Sequence, residues 1–392
     1  MINTNKRICV LSFSNIARDG RVLRQIHFAM RAGFQVDVIG FGNWEAPPGV
    51  VYYSLPQTNS TSLNILLDWI SLLLGKITPR FWEIVFWRNR EYCQARDILM
   101  QQDYDLVHAN DWDSLPVAGY VSKLTHVPVL YDAHEYTLEQ EKQMVQKRLL
   151  RKPYQEYLLR SYGVYISKMI TVSDGIRDLY EGEFGWRSMV IRNTPSYEKH
   201  EFRKVSPNKI NLIHHGCAIK GRNIEAIIQM MADLDERYCL YLMLVQNDVK
   251  YYKKLKSAAE SVAPERIKFL PPVAPVNITD TINKFDIGIF LLKALNLSYY
   301  HTLPNKLFDF VMAGLAVAVY PLPDMIKIIR ENNIGIVSKK PSKESMADAL
   351  NSLEPSEIES FKANSLTMAK KLNAETELEK LIGLYKDIIR VG

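Results

Sequence analysis

Short apolar runs of β type alternate with helical stretches along nearly all of this 392-residue chain, and the alternation starts twice. Arg7 to Phe13 reads as a strand. Asp19 to Arg31 reads as a helix with Val22, Leu23, Ile26 and Met30 on one face, and Gln35 to Phe41 as the next strand, reached through a turn at Gly33. Asp105 to Asn110, Val127 to Glu135 and Met169 to Ser173 continue the series, each followed by a helical pattern. A polar stretch around Pro195 to Pro207 interrupts it. The rhythm resumes with Lys209 to Gly216, a helix from about Asn223, and strands at Tyr241 to Gln246, Ile267 to Val273, Ile287 to Leu292 and Leu315 to Tyr320. Strands that are apolar on both faces and separated by helices belong to parallel sheets covered on both sides. The fold class is therefore α/β, with two Rossmann-like doubly wound domains facing across a cleft. We place the first domain at 1–196, the second at 197–372, and a helical end at 373–392 that crosses back to the first. Ligands of such sheets bind at the carboxyl ends of the strands.

The remaining composition narrows the class. A 47% hydrophobic, 23% charged chain is that of a soluble globular protein. No run reaches the roughly 18 apolar residues of a spanning helix, and the start MINTNKRICVLSFS has no signal-peptide core. Cys9, Cys93, Cys217 and Cys239 are scattered with no CxxC pair, which argues against a zinc site or disulfide framework and suits a reducing cytoplasm. Cys9 and Cys239 lie in or beside apolar runs and read as buried small hydrophobes. A net charge of +6 permits an anionic partner. The basic residues are dispersed without a recognised motif, so no nucleic acid is expected.

One segment carries the most chemistry. Leu303 to Gly314, LPNKLFDFVMAG, reads as a helix with Pro304 at its first position, ended by Gly and feeding the strand Leu315 to Val319. Free N–H groups and a positive dipole end suit a phosphate there. Lys306 adds charge and Asp309 follows within about a turn, which is what a nucleoside diphosphate and its ribose hydroxyls require. An ordinary amphipathic helix with solvated Lys and Asp would show the same pattern.

Several strand ends together resemble the retaining nucleotide-sugar glycosyltransferases of family 4, which have the GT-B fold. The segments are ARDGRVLRQIHFAMRAGFQVDVIG, DLVHANDWDSLPVA with VLYDAHEY, ITVSDGI, VIRNTP and, closest of all, LPNKLFDFVMAGLAVAV. The resemblance implies that Lys306 and Arg222 hold the donor diphosphate and that Asp309 receives the ribose hydroxyls. It implies that His134 touches the donor sugar near the reacting centre, that Gly20 allows a tight backbone approach, and that the base packs near Val273. Asn305 and Lys220 fall on the donor side as well. Asp19, Arg21, Asp111 and Glu135 fall on the acceptor side, although Asp111 and Asp113 could equally cap the helix that starts near Ser114. Of His214 and His215, one reads as a packing residue. Many members carry two glutamates eight positions apart, where this chain has His301 and Asp309. Aspartate still offers two acceptors to a diol, but His301 cannot be an anionic sugar ligand.

The function implied is metal-independent transfer of a hexose-type sugar, with retention, from a UDP- or GDP-linked donor to a glycan or lipid-linked acceptor. Bacterial surface polysaccharide or glycoconjugate synthesis is the setting. No cofactor is expected, only the nucleotide-sugar as substrate. A nucleotide-sugar 2-epimerase and a catalytically silent glycan-binding subunit share the architecture and stand as alternatives. Finally, Leu63 to Arg90 mixes an apolar helix with Trp69, Phe81, Trp82, Phe86 and Trp87 beside Lys76, Arg80, Arg88 and Arg90, and Lys147 to Arg160 adds further basic residues. Such mixtures suit an anionic membrane surface, with Trp82, Trp87, Arg80 and Arg88 as the docking residues on the inner face of a membrane. Core helices would also use these aromatics.

Overall fold

A computed structural model describes residues 6–57, 62–139 and 145–391; the side chains of 62–66, 139, 145–150 and 391 lie outside the description. The chain forms two compact units. The first comprises Met1–Ile191 with Leu378–Gly392, and the second Arg192–Glu377.

Among the described residues of the first unit, seven strands form one parallel sheet. They are β1 (Arg7–Asn15), β2 (Gln35–Phe41), β3 (Val50–Leu55), β4 (Leu106–Asn110), β5 (Val129–Ala133), β6 (Ile166–Thr171) and β7 (Ser188–Val190). Their order is β3-β2-β1-β4-β5-β6-β7. The second unit repeats the scheme with β8 (Ile210–Cys217), β9 (Tyr238–Val245), β10 (Ile267–Leu270), β11 (Ile287–Phe290), β12 (Ala316–Val319) and β13 (Gly335–Val337), in the order β10-β9-β8-β11-β12-β13. Each sheet thus reverses direction once, between β1 and β4 and between β8 and β11. These are the topological switch points where open α/β sheets leave a crevice beyond the strand ends.

The central strands are apolar on both faces because helices cover both faces. β4, β5, β11 and β12 are buried along their whole length. Ile8, Val10, Ile26, Ala29 and Leu130 fill one side of the first sheet, together with Leu381, Leu384, Tyr385 and Ile388 of the final helix Ala374–Val391. That helix begins in the second unit, and its residues from Leu378 belong to the first. All four cysteines are free; Cys9 is buried, whereas Cys239 is only half-buried.

The region expected to dock on a membrane folds differently from the expectation. Phe86 is buried outright and Trp82 nearly so; the Trp82 indole N–H donates to the Leu72 carbonyl at 3.1 Å. Trp69 and Trp87 pack, half-buried, on the same core, and the Trp87 N–H reaches Glu83 at 3.2 Å. Arg88 is engaged by Asp68 at 3.3 Å. The exposed apolar residues are aliphatic instead: Leu67, Ile70, Leu73 and Leu74 on helix Ser62–Gly75, Ile77 after it, and Ile84 on helix Arg80–Trp87. Aromatics interleaved with cations have one sequence pattern whether the rings face core or solvent, so the sequence could not separate them. The side chains of 147–150 from the second basic stretch lie outside the described residues. No described helix is long and apolar enough to cross a membrane.

Candidate functional site

In the second unit, the helix of the LPNK segment runs from Asn305 to Met312. Pro304 is its N-cap in extended conformation, one position earlier than expected, so Asn305 and Lys306 open the helix. The following Gly314 has φ +69°, which explains the stop before β12. Lys306 returns over the end of β8, and Gly216 is what allows it. Gly216 sits at φ +120°, and a Cβ there would lie 2.8 Å from both Cε and Nζ of Lys306. The Lys306 ammonium lies 5.0 Å from the centre of the Phe290 ring at the end of β11. The cation therefore stands at the switch point of its sheet.

Electrostatics around Lys306 are those of a cation kept without a counter-ion. Burial and then the Arg222 guanidinium push its ammonium down to about 8, against smaller opposing effects of Cys217 and Asp309. Arg222 stacks over Tyr299 at 5.7 Å, and neither cation has a carboxylate in salt-bridge range among the described residues. Asp309, one turn along the helix, faces His215 Nε2 at 3.5 Å. Burial and Lys306 push the His215 imidazole down to about 3, so it meets Asp309 as a neutral ring. His214 packs flat against Phe290 and bonds the Ile289 carbonyl through Nδ1 at 2.9 Å. The neighbouring residues fall as follows. Asn305 is exposed and accepts from Asn193 Nδ2 at 2.9 Å. Val273 packs half-buried on the core under β8 and β11. Lys220 is exposed, with Asp248 at 3.6 Å, and so has a surface partner rather than a place beside Lys306. His301 ends a short helix, and its Nδ1 meets Asp324 Oδ2 at 2.9 Å. The His301 ring is therefore paired with a buried carboxylate, that of Asp324.

The first unit has its own cluster at the ends of β1, β4 and β5. Asp132, at the end of β5, is fully buried and takes Arg21 Nε at 2.7 Å and Nη2 at 2.8 Å, plus Gln25 Nε2 at 2.6 Å. Burial works against its charge, but Arg21 and His134 prevail and hold the carboxyl well below its ordinary range. Arg21 also donates to the Ile191 carbonyl at 3.0 Å, so its guanidinium is consumed internally. The expected acceptor-side role of Arg21 is thus replaced by a structural one. Asp19 is the N-cap of helix Gly20–Arg31 and accepts the N–H groups of Arg21 and Val22. Gly20 opens that helix, and a Cβ there would meet nothing nearer than Arg24 at 3.7 Å, so the protein itself makes no demand for glycine at this position.

His134 lies just beyond β5, its Nδ1 3.1 Å from Asp111 and its Nε2 3.2 Å from Asn110 Oδ1 and 3.4 Å from Asp132. Asp111 adopts φ +64° and, with Asp113, does not cap helix Ser114–Thr125 through its side chain. Burial and the neighbouring Asp111 push the Asp113 carboxyl up to about 8. Ser12, Phe13, Ser14, Asp111, Trp112 and Asp113 line a cavity of about 160 Å³ at this switch point. Glu135 is exposed, and its carbonyl accepts from Tyr180. The sequence reading missed Asn110, Asp132 and Asp324, whose roles come from partners distant in the chain. It also passed over the D-x-D spacing of Asp111 and Asp113, which was visible.

Outside both clusters, Glu198, His200 and Asp280 come close enough to face a metal ion. Glu198 lies 3.4 Å from Nε2 and Asp280 3.6 Å from Nδ1 of the same ring. In this structure each carboxylate faces a different nitrogen of the ring.

Residues 21–194 match the family model described as Glycosyltransferase Family 4, so the resemblance read from the motifs is found independently over most of the first unit. No curated protein matches the sequence. Sucrose-phosphate synthase of Thermosynechococcus elongatus is similar in structure at TM-score 0.74 and 14% identity, over 99% of this chain and 100% of its own. HepE of Anabaena, solved in complex with UDP and glucose, is similar at TM-score 0.69 and 16% identity, over 97% and 100%. A glycosyltransferase from Rickettsia africae follows at TM-score 0.69 and 11% identity, over 99% and 100%. These likenesses establish the fold as GT-B, two Rossmann-like domains in one chain.

Proposed function

We propose that the chain is a glycosyltransferase that moves a sugar from a nucleoside-diphosphate donor to a hydroxyl of its acceptor. The observation that carries this reading is Lys306, a half-buried cation beside a second cation, Arg222, at the switch point of the second sheet. Two cations brought together without a carboxylate partner repel each other unless an anion joins them. A diphosphate is such an anion, and the first turn of helix Asn305–Met312 adds N–H groups for it. Asp309 then accepts the two ribose hydroxyls, and the base packs along Val273. HepE, of the same fold, binds UDP.

The finer reading follows from that charge. The leaving diphosphate gains negative charge as the sugar–oxygen bond breaks, and Lys306 and Arg222 stabilise it in place. We read the transfer as retaining, with the departing phosphate oxygen taking the acceptor proton, and as independent of a metal. The donor is UDP- or GDP-linked, and the acceptor is a glycan or a lipid-linked sugar of surface polysaccharide synthesis. Attachment to an anionic membrane belongs to the same reading. Its residues are Leu67, Ile70, Leu73, Leu74, Ile77 and Ile84, with Lys76 and Arg80 exposed among them.

Thermal denaturation of the full chain with UDP, GDP, ADP and CMP tests the donor site, since a ligand of the native state raises its stability. One diphosphate is expected to raise the midpoint, and the matching nucleotide-sugar to release nucleotide faster when an acceptor is present. If no nucleotide shifts the midpoint, the reading fails. Release without an acceptor would favour the epimerase alternative.

A further inference from the structure

His134 stands in the first unit with an oxygen opposite each ring nitrogen, and the identity of those oxygens decides its protonation. Asn110 donates its amide nitrogen to the Leu11 carbonyl at 3.3 Å, which turns Oδ1, an acceptor, toward His134 Nε2 at 3.2 Å. Nε2 must therefore carry hydrogen. Asp111 presents Oδ2 to Nδ1 at 3.1 Å, so Nδ1 carries hydrogen as well. Neither neutral tautomer satisfies both sides.

We propose that Asp111, as a positioning residue, and Asn110 with it fix His134 as an imidazolium, a standing cation that donates from both ring nitrogens and takes no proton. This deepens the transferase reading, on which it rests for its role but not for its test. In that role the imidazolium offers charge to the electron-rich oxygens of a donor sugar or its phosphate, and it cannot be the base that deprotonates the acceptor.

The charged groups around His134 agree with the assignment. Asp111 follows β4, and Asp132 at the end of β5 lies 3.4 Å from Nε2. Arg21 and Gln25 approach through Asp132 from the first helix. Asp113 carries a raised carboxyl nearby, and His108 on β4 is held neutral by its burial. Burial opposes the charge on His134 too, but Asp111 and Asp132 outweigh it and push the ring up to about 10.

The test is nitrogen NMR of the histidine-labelled full chain without nucleotide, with His134→Gln identifying the signals. Both His134 nitrogens should keep imidazolium shifts from pH 6 to 9, a range over which an unperturbed ring, with a pKa of about 6.5, goes from mostly charged to neutral. Asp111→Asn should lower the titration midpoint by about 1–3 pH units, the usual effect of one adjacent opposite charge. Asp111→Glu should restore most of it. Transfer rates are a poorer readout, because Lys306 also titrates near 8. Neutral-ring signals in the wild-type chain at pH 8 overturn the proposal, even where a variant fails to fold. An unchanged midpoint in folded Asp111→Asn removes Asp111 from it. A failed nucleotide screen would instead count against the transferase reading while leaving this result intact.

Discussion

Lys306 is a cation that the folded chain alone has little reason to keep. Its folded pKa is about 8 and its unperturbed one 10.5, so between those values the unfolded chain holds a proton that the folded chain has released. Stability from this group therefore rises with pH across that window, and the cost of charging it is fully present below about pH 8. Lys306→Met should raise the melting temperature at pH 7, by about 2–4 °C for each kcal/mol recovered in a domain of this size. The gain should vanish by about pH 10.5. The same variant should lose the shift produced by nucleoside diphosphates. Lys306→Ala and Arg222→Ala should each lower kcat by about 10²–10³-fold, the usual worth of one preorganised contact to developing negative charge. Near-normal turnover by both variants would remove the diphosphate assignment. Asp309→Asn should chiefly weaken nucleotide affinity, measurable by calorimetry, because an amide offers one acceptor where a carboxylate offers two.

At the scale of elements, two contacts tie the clusters to their sheets. Gly216, next to last in β8, sits at φ +120° against the Lys306 side chain. Gly216→Ala should cost about 1–3 kcal/mol through backbone strain alone and displace the lysine, lowering both the urea midpoint and nucleotide affinity. Arg21 joins the first helix to β5 through a buried pair, and Arg21→Met should cost about 3–5 kcal/mol, because Asp132 is left charged and unpaired. The alternation of strands and helices was legible because central strands are apolar on both faces. The edge strands Val50–Leu55 and Gly335–Val337 escaped notice because they are short and only partly buried, and Ser188–Val190 was marked only by its end in the VIRNTP segment. Lys306 and Asp309 were legible as a local spacing on one helix. Asp132, Asn110 and Asp324 were not, since a hydrogen-bond partner many residues away leaves no local pattern. Arg21 and Trp82 were misjudged for a related reason: a buried ion pair and a core indole use the same residue types as a binding surface.

At the scale of the whole molecule, the exposed aliphatic face of helix Ser62–Gly75 and its neighbour gives a separable prediction. Anionic liposomes should retain the protein in flotation. Replacing Ile70, Leu73 and Ile77 with serine should weaken retention at every salt concentration, whereas replacing Lys76 and Arg80 with glutamine should matter at low salt only, because charge is screened within a Debye length. Wild-type protein that floats free of such liposomes would assign this face to another partner.

The path of the chain has a consequence for assembly. The polypeptide leaves the first unit at Ile191 and re-enters it at Leu378, so that the second unit is an insert in the first. The ends of that insert are clasped. Arg192 N–H donates to Glu377 at 3.0 Å, and its guanidinium reaches the same carboxylate at 3.3 Å. For the first unit the whole insert is a single loop, and the entropy of closing a loop falls on whichever part must hold its ends together. A folded insert brings those ends together in advance and acts as a staple for its host, while the host does nothing equivalent in return. Dependence should run one way. Glu377→Ala should lower the stability of the first unit, whereas residues 192–377 expressed alone should melt much as they do in the full chain.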